Sequence, residues 1–555
     1  MVVEHLTGGE AVVRSLLKHG VTDVFGVPGA QTYALYDALH DASSEIRTIG
    51  VRHEQAAAYM AFGYAQSSGR PGVYTVVPGP GVLNTAAGLA TANAGNVPVF
   101  CVAGQVPSNA IGLGRGALHE LPDQLALLRG LTRWAERVPH PSSASRLVAE
   151  AWTKMCGNSR GAVALEIPWD VMAARAPTRL ESPLPLEPRP ILSEESIERA
   201  AARIASAARP MIWVGSGALE AREEVLALAE LLGAPVASFR GGRGIVGDDH
   251  PLALTLASAW HLWNQTDVLI AVGSRAEPPL MHWPERATPP DLVRIDINPV
   301  EMVRRRADFG VVGDAGEALR EIVSLLRKKG VRRRTSPAEV KAARDEAERE
   351  LADVQPQAGY LAAIRDVLPR DGFFVEDLCQ VGYTAWSALP IYQPRTYVRC
   401  GYFGSLGGGY ATALGVKVAH PGRAVVSVSG DGGFQFGLAE LGTAAQHGIA
   451  VVAVVFDNHG YGNIRRDQRQ GEPRRIYGSD LDSPDLVKLA ESFGVAAERV
   501  ATPAELRAAL GRAFLMDCPR LIAVDVPRDS EASPWPFVFR RPQGRRVDEV
   551  RGEAR

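Results

Sequence analysis

Disulfide chemistry is the first thing this sequence excludes. It has five cysteines in 555 residues (Cys101, Cys156, Cys379, Cys400 and Cys518), scattered and without a CxxC pair. Neither a disulfide framework nor a paired-cysteine zinc site is expected, and the thiols fit a reducing compartment. An excess of one charge sign is missing as well: 60 Lys and Arg face 62 Asp and Glu, for a net charge of −2. That balance argues against a nucleic-acid surface and a polybasic membrane patch. No apolar run approaches the roughly 20 residues of a membrane span. The N-terminus shows no basic segment leading into an apolar stretch, so a cytoplasmic location is expected. What is present is ordinary for a globular chain, 46% hydrophobic and 22% charged, and long enough for three domains.

The chain is organised around residues 425–463. A β-branched run, Val425 to Val428, ends at Gly430-Asp431-Gly432. A helical pattern follows, with Phe436, Leu438, Leu441 and Ala445 as its apolar positions. A second run, Val451 to Phe456, ends at Asp457-Asn458-His459-Gly460. Strand, helix and strand make one βαβ unit with polar residues at both carboxyl ends, the edge where parallel sheets bind ligands. Asp431 offers a hard carboxylate oxygen, Asn458 an amide oxygen and Gly460 a carbonyl. Oxygen donors with little protein charge suit Mg²⁺, which takes its remaining ligands from water and phosphate. Gly432 and Gly433 allow backbone to approach a phosphate at the N-terminus of the helix containing Phe434.

Gly430-Asp431-Gly432 followed some two dozen residues later by Asp457-Asn458 resembles the signature of thiamine diphosphate enzymes, with Asp457 in place of the first Asn. The resemblance implies that Asp431, Asn458 and Gly460 bind Mg²⁺. It also implies that Gly430, Gly432, Gly433 and Tyr461 contact the cofactor.

Earlier in the chain, strands and helices alternate. Strands are expected at Val24–Val27, Ile46–Val51, Gly72–Val77 and Val97–Ala103, and helices at Gly8–His19, Thr32–Leu39 and Gln55–Ala65. This is the pattern of a doubly wound parallel sheet. Glu54 stands at a strand end leading into a helix, where a carboxylate would complement the helix dipole in any protein. Arg52-His53-Glu54-Gln55-Ala56-Ala57 also resembles the catalytic-glutamate segment of the thiamine diphosphate decarboxylases and carboligases. There that glutamate bonds the aminopyrimidine ring and activates the cofactor. Val77-Pro78-Gly79-Pro80-Gly81-Val82-Leu83-Asn84 and Ala103-Gly104-Gln105-Val106-Pro107 are similar to acetolactate synthase segments, and Gln105 matches a glutamine lining that site. Gly116-Ala117-Leu118-His119-Glu120 falls where the family has Ala-Phe-Gln-Glu, which puts Leu118 and His119 at positions facing substrate and implies an altered pocket.

Glu181–Pro190 is proline-rich and is expected to be an extended linker. The middle segment has strands at Met211–Gly215, Pro235–Phe239, Val268–Val272 and Leu292–Ile297. Its Val214-Gly215-Ser216-Gly217 lacks the third glycine of a dinucleotide fingerprint. FAD, which acetolactate synthases bind in the matching domain, is compatible with this segment but not predicted from it. Lys328 to Asp353, including Arg332-Arg333-Arg334, is expected to contain a solvated connecting helix. In the last segment, Tyr402 to Gly415 resembles the family stretch that supports the bent cofactor, with Leu406 as the prop and Gly404 beside it. Gly401-Tyr402-Phe403-Gly404-Ser405-Leu406 is also similar to benzaldehyde lyase. The tail aromatics Trp535 and Phe537 are expected to cover the site or to pack on a neighbouring subunit.

The expectation is therefore an α/β protein of three doubly wound parallel-sheet domains: pyrimidine-binding (1–180), Rossmann-like (190–330) and diphosphate-binding (356–540). By resemblance it is a thiamine diphosphate- and Mg²⁺-dependent 2-oxo acid decarboxylase or carboligase, closest to acetolactate synthase. A benzaldehyde lyase or benzoylformate decarboxylase is the alternative. A non-catalytic regulatory homologue is the alternative of another class. The resemblance also implies a homodimer or a dimer of dimers, with Glu54 and Asp431 meeting across the subunit interface.

Overall fold

The computed structural model describes residues 3–540, apart from 285, 305–306, 333–335 and 472–474. Two of the three arginines at 332–334 thus lie outside the described residues. The described chain contains three six-stranded sheets and a two-stranded antiparallel ribbon, Val3–Thr7 with Arg175–Arg179. The chain separates into two compact units. One runs up to Pro188 and adds Val367–Cys379 and Val398–Asp529; the other comprises Arg189–Asp366, Gln380–Tyr397 and the segment from Ser530.

In the first unit, one sheet orders its strands Arg47–Gly50, Asp23–Gly26, Gly72–Val76, Val99–Gln105, Val163–Pro168 and Trp134–Arg137, all parallel. The two central strands Gly72–Val76 and Val99–Gln105 are buried along their whole length, as helices on both faces require. The chain leaves Asp23–Gly26 toward one edge and returns on its other side at Gly72–Val76. A crevice therefore opens between the carboxyl ends of these two strands.

The other sheet of this unit places Phe373–Glu376, Val425–Gly430, Val452–Asp457, Arg520–Asp525 and Ala496–Val500 side by side and parallel. Helix Glu54–Ser68, rich in alanine, packs along helix Gly408–Ala419. A Cβ on Gly63 would lie 2.1 Å from the Thr412 carbonyl oxygen, and one on Gly415 would lie 1.9 Å from that of Met60. Glycine at both positions is what lets these two helices, and hence the two sheets, share one apolar core.

The second unit holds another parallel sheet, with its first strand third in the order: Ala253–Leu254, Val236–Ser238, Pro210–Val214, Val268–Val272, Asp291–Asp296 and Phe309–Val312.

Two expectations need correction. The helix expected through Phe436 and Leu441 is two helices, Asp431–Gln435 and Glu440–His447, joined by turns around Gly437. Phe436 is exposed rather than core, so the apolar spacing there was not one helical face. The charge-dense stretch is not merely solvated. Helix Pro337–Ala352 buries Val340, Ala343, Ala347 and Leu351, and Arg344 reaches the carbonyls of Asp248 and His250. The tail folds within its own unit, with Trp535 against Tyr383 and Phe539 against His282, each at 4.7 Å between ring centroids. Among the described residues no helix is long and apolar enough to cross a membrane.

Candidate active site

Asp431 starts a helix directly beyond strand Val425–Gly430, so the strand end fixes its backbone and the side chain is fully buried. Its Oδ2 accepts from the Ser483 hydroxyl at 2.5 Å and from the Gly460 N–H at 3.2 Å. Its Oδ1 has no hydrogen-bond partner. Burial is the main cause of an upward shift in its pKa; the Ser483 bond opposes that shift and the Asp457 charge adds to it. A buried carboxylate with one oxygen held and one free is short of a cation.

Gly460 belongs to the same loop as Asn458, so the N–H bond to Asp431 brings the end of strand Val452–Asp457 beside it. A Cβ on Gly432 would lie 2.7 Å from the Tyr461 ring, so Tyr461 packs directly on the glycine turn. Leu406 approaches the same turn, 3.9 Å from where a Gly433 Cβ would be. Among the described residues no group of three or more His, Cys, Asp and Glu is placed to hold a metal. The donor set here is one carboxylate with amide and carbonyl oxygens, which fits Mg²⁺ bound together with a phosphate. Gly404 is exposed with φ 71°, in the glycine-rich loop leading to Leu406.

Asp377, just past the end of strand Phe373–Glu376, joins these loops. It is buried and takes N–H bonds from Leu378, Gly407 and Gly409. Burial pushes its pKa up to about 6 against those bonds.

Glu54 opens helix Glu54–Ser68, after His53 caps it by accepting from the Gln55 N–H. Its Oε2 accepts from Asn84 Nδ2 at 2.9 Å. The turn before it is clamped by Glu440, a fully buried carboxylate that accepts from the N–H groups of Arg52 and His53, each at 3.1 Å. Burial raises the Glu440 pKa, and its bonds to Thr443, Arg52 and His53 lower it.

Gln105 is 2% exposed. Its Nε2 donates to Glu166 at 2.9 Å and its Oε1 accepts from the Val106 N–H at 2.7 Å. Gln124 and Arg137 share the same glutamate. The Gln105 amide is thus engaged at both ends inside its own domain. His119 is half-buried, and its Nδ1 lies 2.8 Å from Gln31 Oε1. A Cβ on Gly79 would lie 2.6 Å from the His119 carbonyl oxygen, which places the His119 backbone on the loop after strand Gly72–Val76.

The structure therefore gathers Asp431, Gly432, Gly433, Gly460, Tyr461 and Leu406 at one sheet edge. It gathers Glu54, Asn84 and the His119 loop at the other. Sequence reading missed Asn84, although it stood in a quoted motif, as well as Ser483, Glu440 and Gln31. No local pattern marks Ser483 or Glu440, because their partners lie 52 and about 388 residues away.

A fold of paired parallel sheets with an acidic glycine turn on one and a glutamate-headed helix on the other defines a thiamine pyrophosphate enzyme, and the chain belongs to that family. Residues 6–127, 197–322 and 377–526 match its N-terminal TPP binding, central and C-terminal TPP binding domains. The chain is 34% identical to a probable 2-ketoarginine decarboxylase of Pseudomonas aeruginosa, over 88% of this chain and 89% of the relative. It is 32% identical to a probable acetolactate synthase large subunit of Methanocaldococcus jannaschii, over 94% and 92%. It is 31% identical to the acetolactate synthase large subunit of Haemophilus influenzae, over 97% of each. The chain is a thiamine diphosphate-dependent enzyme of the decarboxylase and carboligase kind.

Proposed function

We propose that the protein is a Mg²⁺-dependent 2-oxo acid carboligase of acetolactate synthase type, acting first on pyruvate. The single observation that carries the metal is Asp431, buried with its Oδ1 unpartnered beside a glycine turn. When bound, thiamine diphosphate supplies the electron acceptor for loss of CO₂ from a 2-oxo acid. The chain's own contribution is to hold the diphosphate through Asp431, Asn458 and Gly460 with Mg²⁺, to support the cofactor's shape with Leu406, and to move a proton at the pyrimidine ring with Glu54. Asn84 and Glu440 keep Glu54 in place. The five cysteines form no disulfide with one another, which suits a reducing cytoplasm.

The reading includes a homodimer in which Glu54 of one copy serves the site of Asp431 in the other. Exposed apolar side chains near both site halves support it: Leu83 in the first turn of helix Pro80–Ala94, and Leu118, Phe403 and Phe436 on loops and turns. The test is to mix the inactive variants Glu54→Gln and Asp431→Ala under conditions that exchange subunits. Half of the random pairs would then carry one intact site, so activity should return to about a quarter of wild type. Return of no activity, with hybrid dimers demonstrated, would refute the shared site. A relative named for 2-ketoarginine favours a second donor. A CO₂-release assay run in parallel on pyruvate, 2-oxobutyrate, benzoylformate and 2-ketoarginine decides the substrate. Acetolactate from pyruvate supports the leading reading, and release from 2-ketoarginine alone replaces it.

A further inference from the structure

Gln31 stands at the crevice between strands Asp23–Gly26 and Gly72–Val76, and only 4% of it is exposed. Its Nε2 donates to the Leu118 carbonyl at 2.7 Å. The reverse amide orientation would set two oxygens against each other at that distance, so the carbonyl fixes Oε1 as the end facing His119. Oε1 lies 2.8 Å from His119 Nδ1, and an amide oxygen only accepts. His119 Nδ1 must therefore carry the hydrogen. In a neutral imidazole the other nitrogen, Nε2, is then a bare acceptor. No hydrogen bond engages Nε2 among the described residues.

The backbone at both positions is unusual. Gln31 has φ 71° and His119 has φ 69°, left-handed conformations that long side chains rarely adopt. Gly79, itself at φ 62°, leaves room for the His119 backbone, since a Cβ there would lie 2.6 Å from the His119 oxygen and 3.0 Å from its Cα. Two strained residues, one amide and one imidazole, are thus held together at the place where this winding of the sheet opens a binding crevice. Strain retained at such a place is a mark of function. Neighbouring Glu120 takes no part in the pair, because its carboxylate accepts from the N–H groups of Gly114 and Ala117.

We propose that His119 is a proton-transfer residue of the 2-oxo acid reaction and that Gln31 is its positioning residue, locking the Nδ1–H tautomer so that Nε2 can take a proton. The inference rests on the function proposed above. In the step assigned to it, the substrate hydroxyl loses its proton to Nε2. The O–H bond breaks and an N–H bond forms. The oxygen's electron pair would become the second bond of the product carbonyl, and thiamine diphosphate, when held by Asp431, Asn458 and Gly460 with Mg²⁺, would supply the acceptor for the electron pair released from the product carbon. The imidazolium, bonded to Gln31 Oε1 through Nδ1–H, then gives its new proton to the carbonyl oxygen of the next substrate. No oxidant or reductant is required.

The test uses the full chain labelled with ¹⁵N-histidine, and His119→Gln identifies the His119 signals by difference. Wild type should show a protonated Nδ1 and an unprotonated Nε2, and Gln31→Leu should show signals averaged between tautomers. Turnover of the 2-oxo acid that wild type consumes should fall about a hundredfold in His119→Gln. KM and thiamine diphosphate affinity should stay within about twofold, which separates lost proton transfer from a damaged fold. Gln31→Leu should lower kcat by about tenfold, on the scale of a lost positioning contact. An Nε2–H tautomer in wild type, or wild-type kcat in His119→Gln, would overturn the proposal. Failure of wild type to consume any 2-oxo acid would sink the proposed function and with it the proton-transfer role. The tautomer spectrum would then still decide the Gln31–His119 pairing by itself.

Discussion

The first sheet and the middle sheet each reverse their winding beside their first strand, and they put that point to opposite uses. The first strand stands second in the first sheet and third in the middle one, and in each the chain reverses direction beside it, so each should open a crevice at its carboxyl edge. In the first sheet that crevice is furnished with side chains: Gln31, the His119 loop and, at the next strand end, Glu54 with Asn84. In the middle sheet it is closed by backbone. The Gly217 N–H donates to the Gly273 carbonyl at 3.0 Å, and the Gly215 N–H to that of Val272 at 3.1 Å. A Cβ on Gly217 would lie 2.7 Å from the Gly273 Cα. The glycines that invited a dinucleotide reading serve to let two strand ends touch. Topology offers a place, and the residues at two or three loop positions decide whether it is a site or a packing contact.

The sharpest way to break this contrast is at the third sheet, whose edge is furnished like the first. Asp431→Ala should weaken metal-dependent thiamine diphosphate binding by more than about a hundredfold, as loss of a direct ligand exceeds loss of a supporting one. Titration calorimetry with and without Mg²⁺ measures it, and unchanged affinity would remove Asp431 from the metal site. Glu54→Gln should bind cofactor normally while turnover falls about 10²- to 10⁴-fold. Normal turnover would reduce Glu54 to a helix-capping charge.

The closed edge should respond in the opposite manner. Gly217→Val should destabilise by about 1–3 kcal/mol through overpacking, with kcat per folded molecule unchanged. Gly79→Ala, which displaces the His119 backbone, should lower kcat as well. A kcat loss in Gly217→Val would mean that the middle crevice is in use after all. The smallest effect belongs to Asp377. Its folded pKa of about 6 lies above the ordinary 3.8, so the folded state holds the proton more tightly. Its contribution to stability is therefore present below about pH 4 and is lost as pH rises through about 6. Asp377→Asn should flatten that part of the stability profile in chemical denaturation, and an unchanged slope would assign it to other groups.

Much of this was legible in the chain. The alternation of strands and helices, the corners at Gly430-Asp431-Gly432 and at Arg52-His53-Glu54, and the family follow from local pattern. Parallel strands buried on both faces need β-branched runs, and their ends need glycine or polar residues. The boundaries of strand Val268–Val272 are those its apolar run indicates. The spacing misled at Phe436, where an apolar residue in helical register is exposed on a turn, because a pattern of side chains does not reveal which face has a partner. It was also silent on Gln105, where the same residue type in the same motif turns inward to Glu166.

The sequence by itself determined the fold class, the family and the two acidic corners, because each depends on residues near one another along the chain. Only the tertiary structure decided what holds those corners: Ser483 on Asp431, Asn84 and Glu440 around Glu54, and Gln31 on His119. Each of those bonds closes a loop of 30 residues or more. Which donor meets which acceptor across such a span is set by how the sheets and helices pack, and composition and spacing carry no record of it.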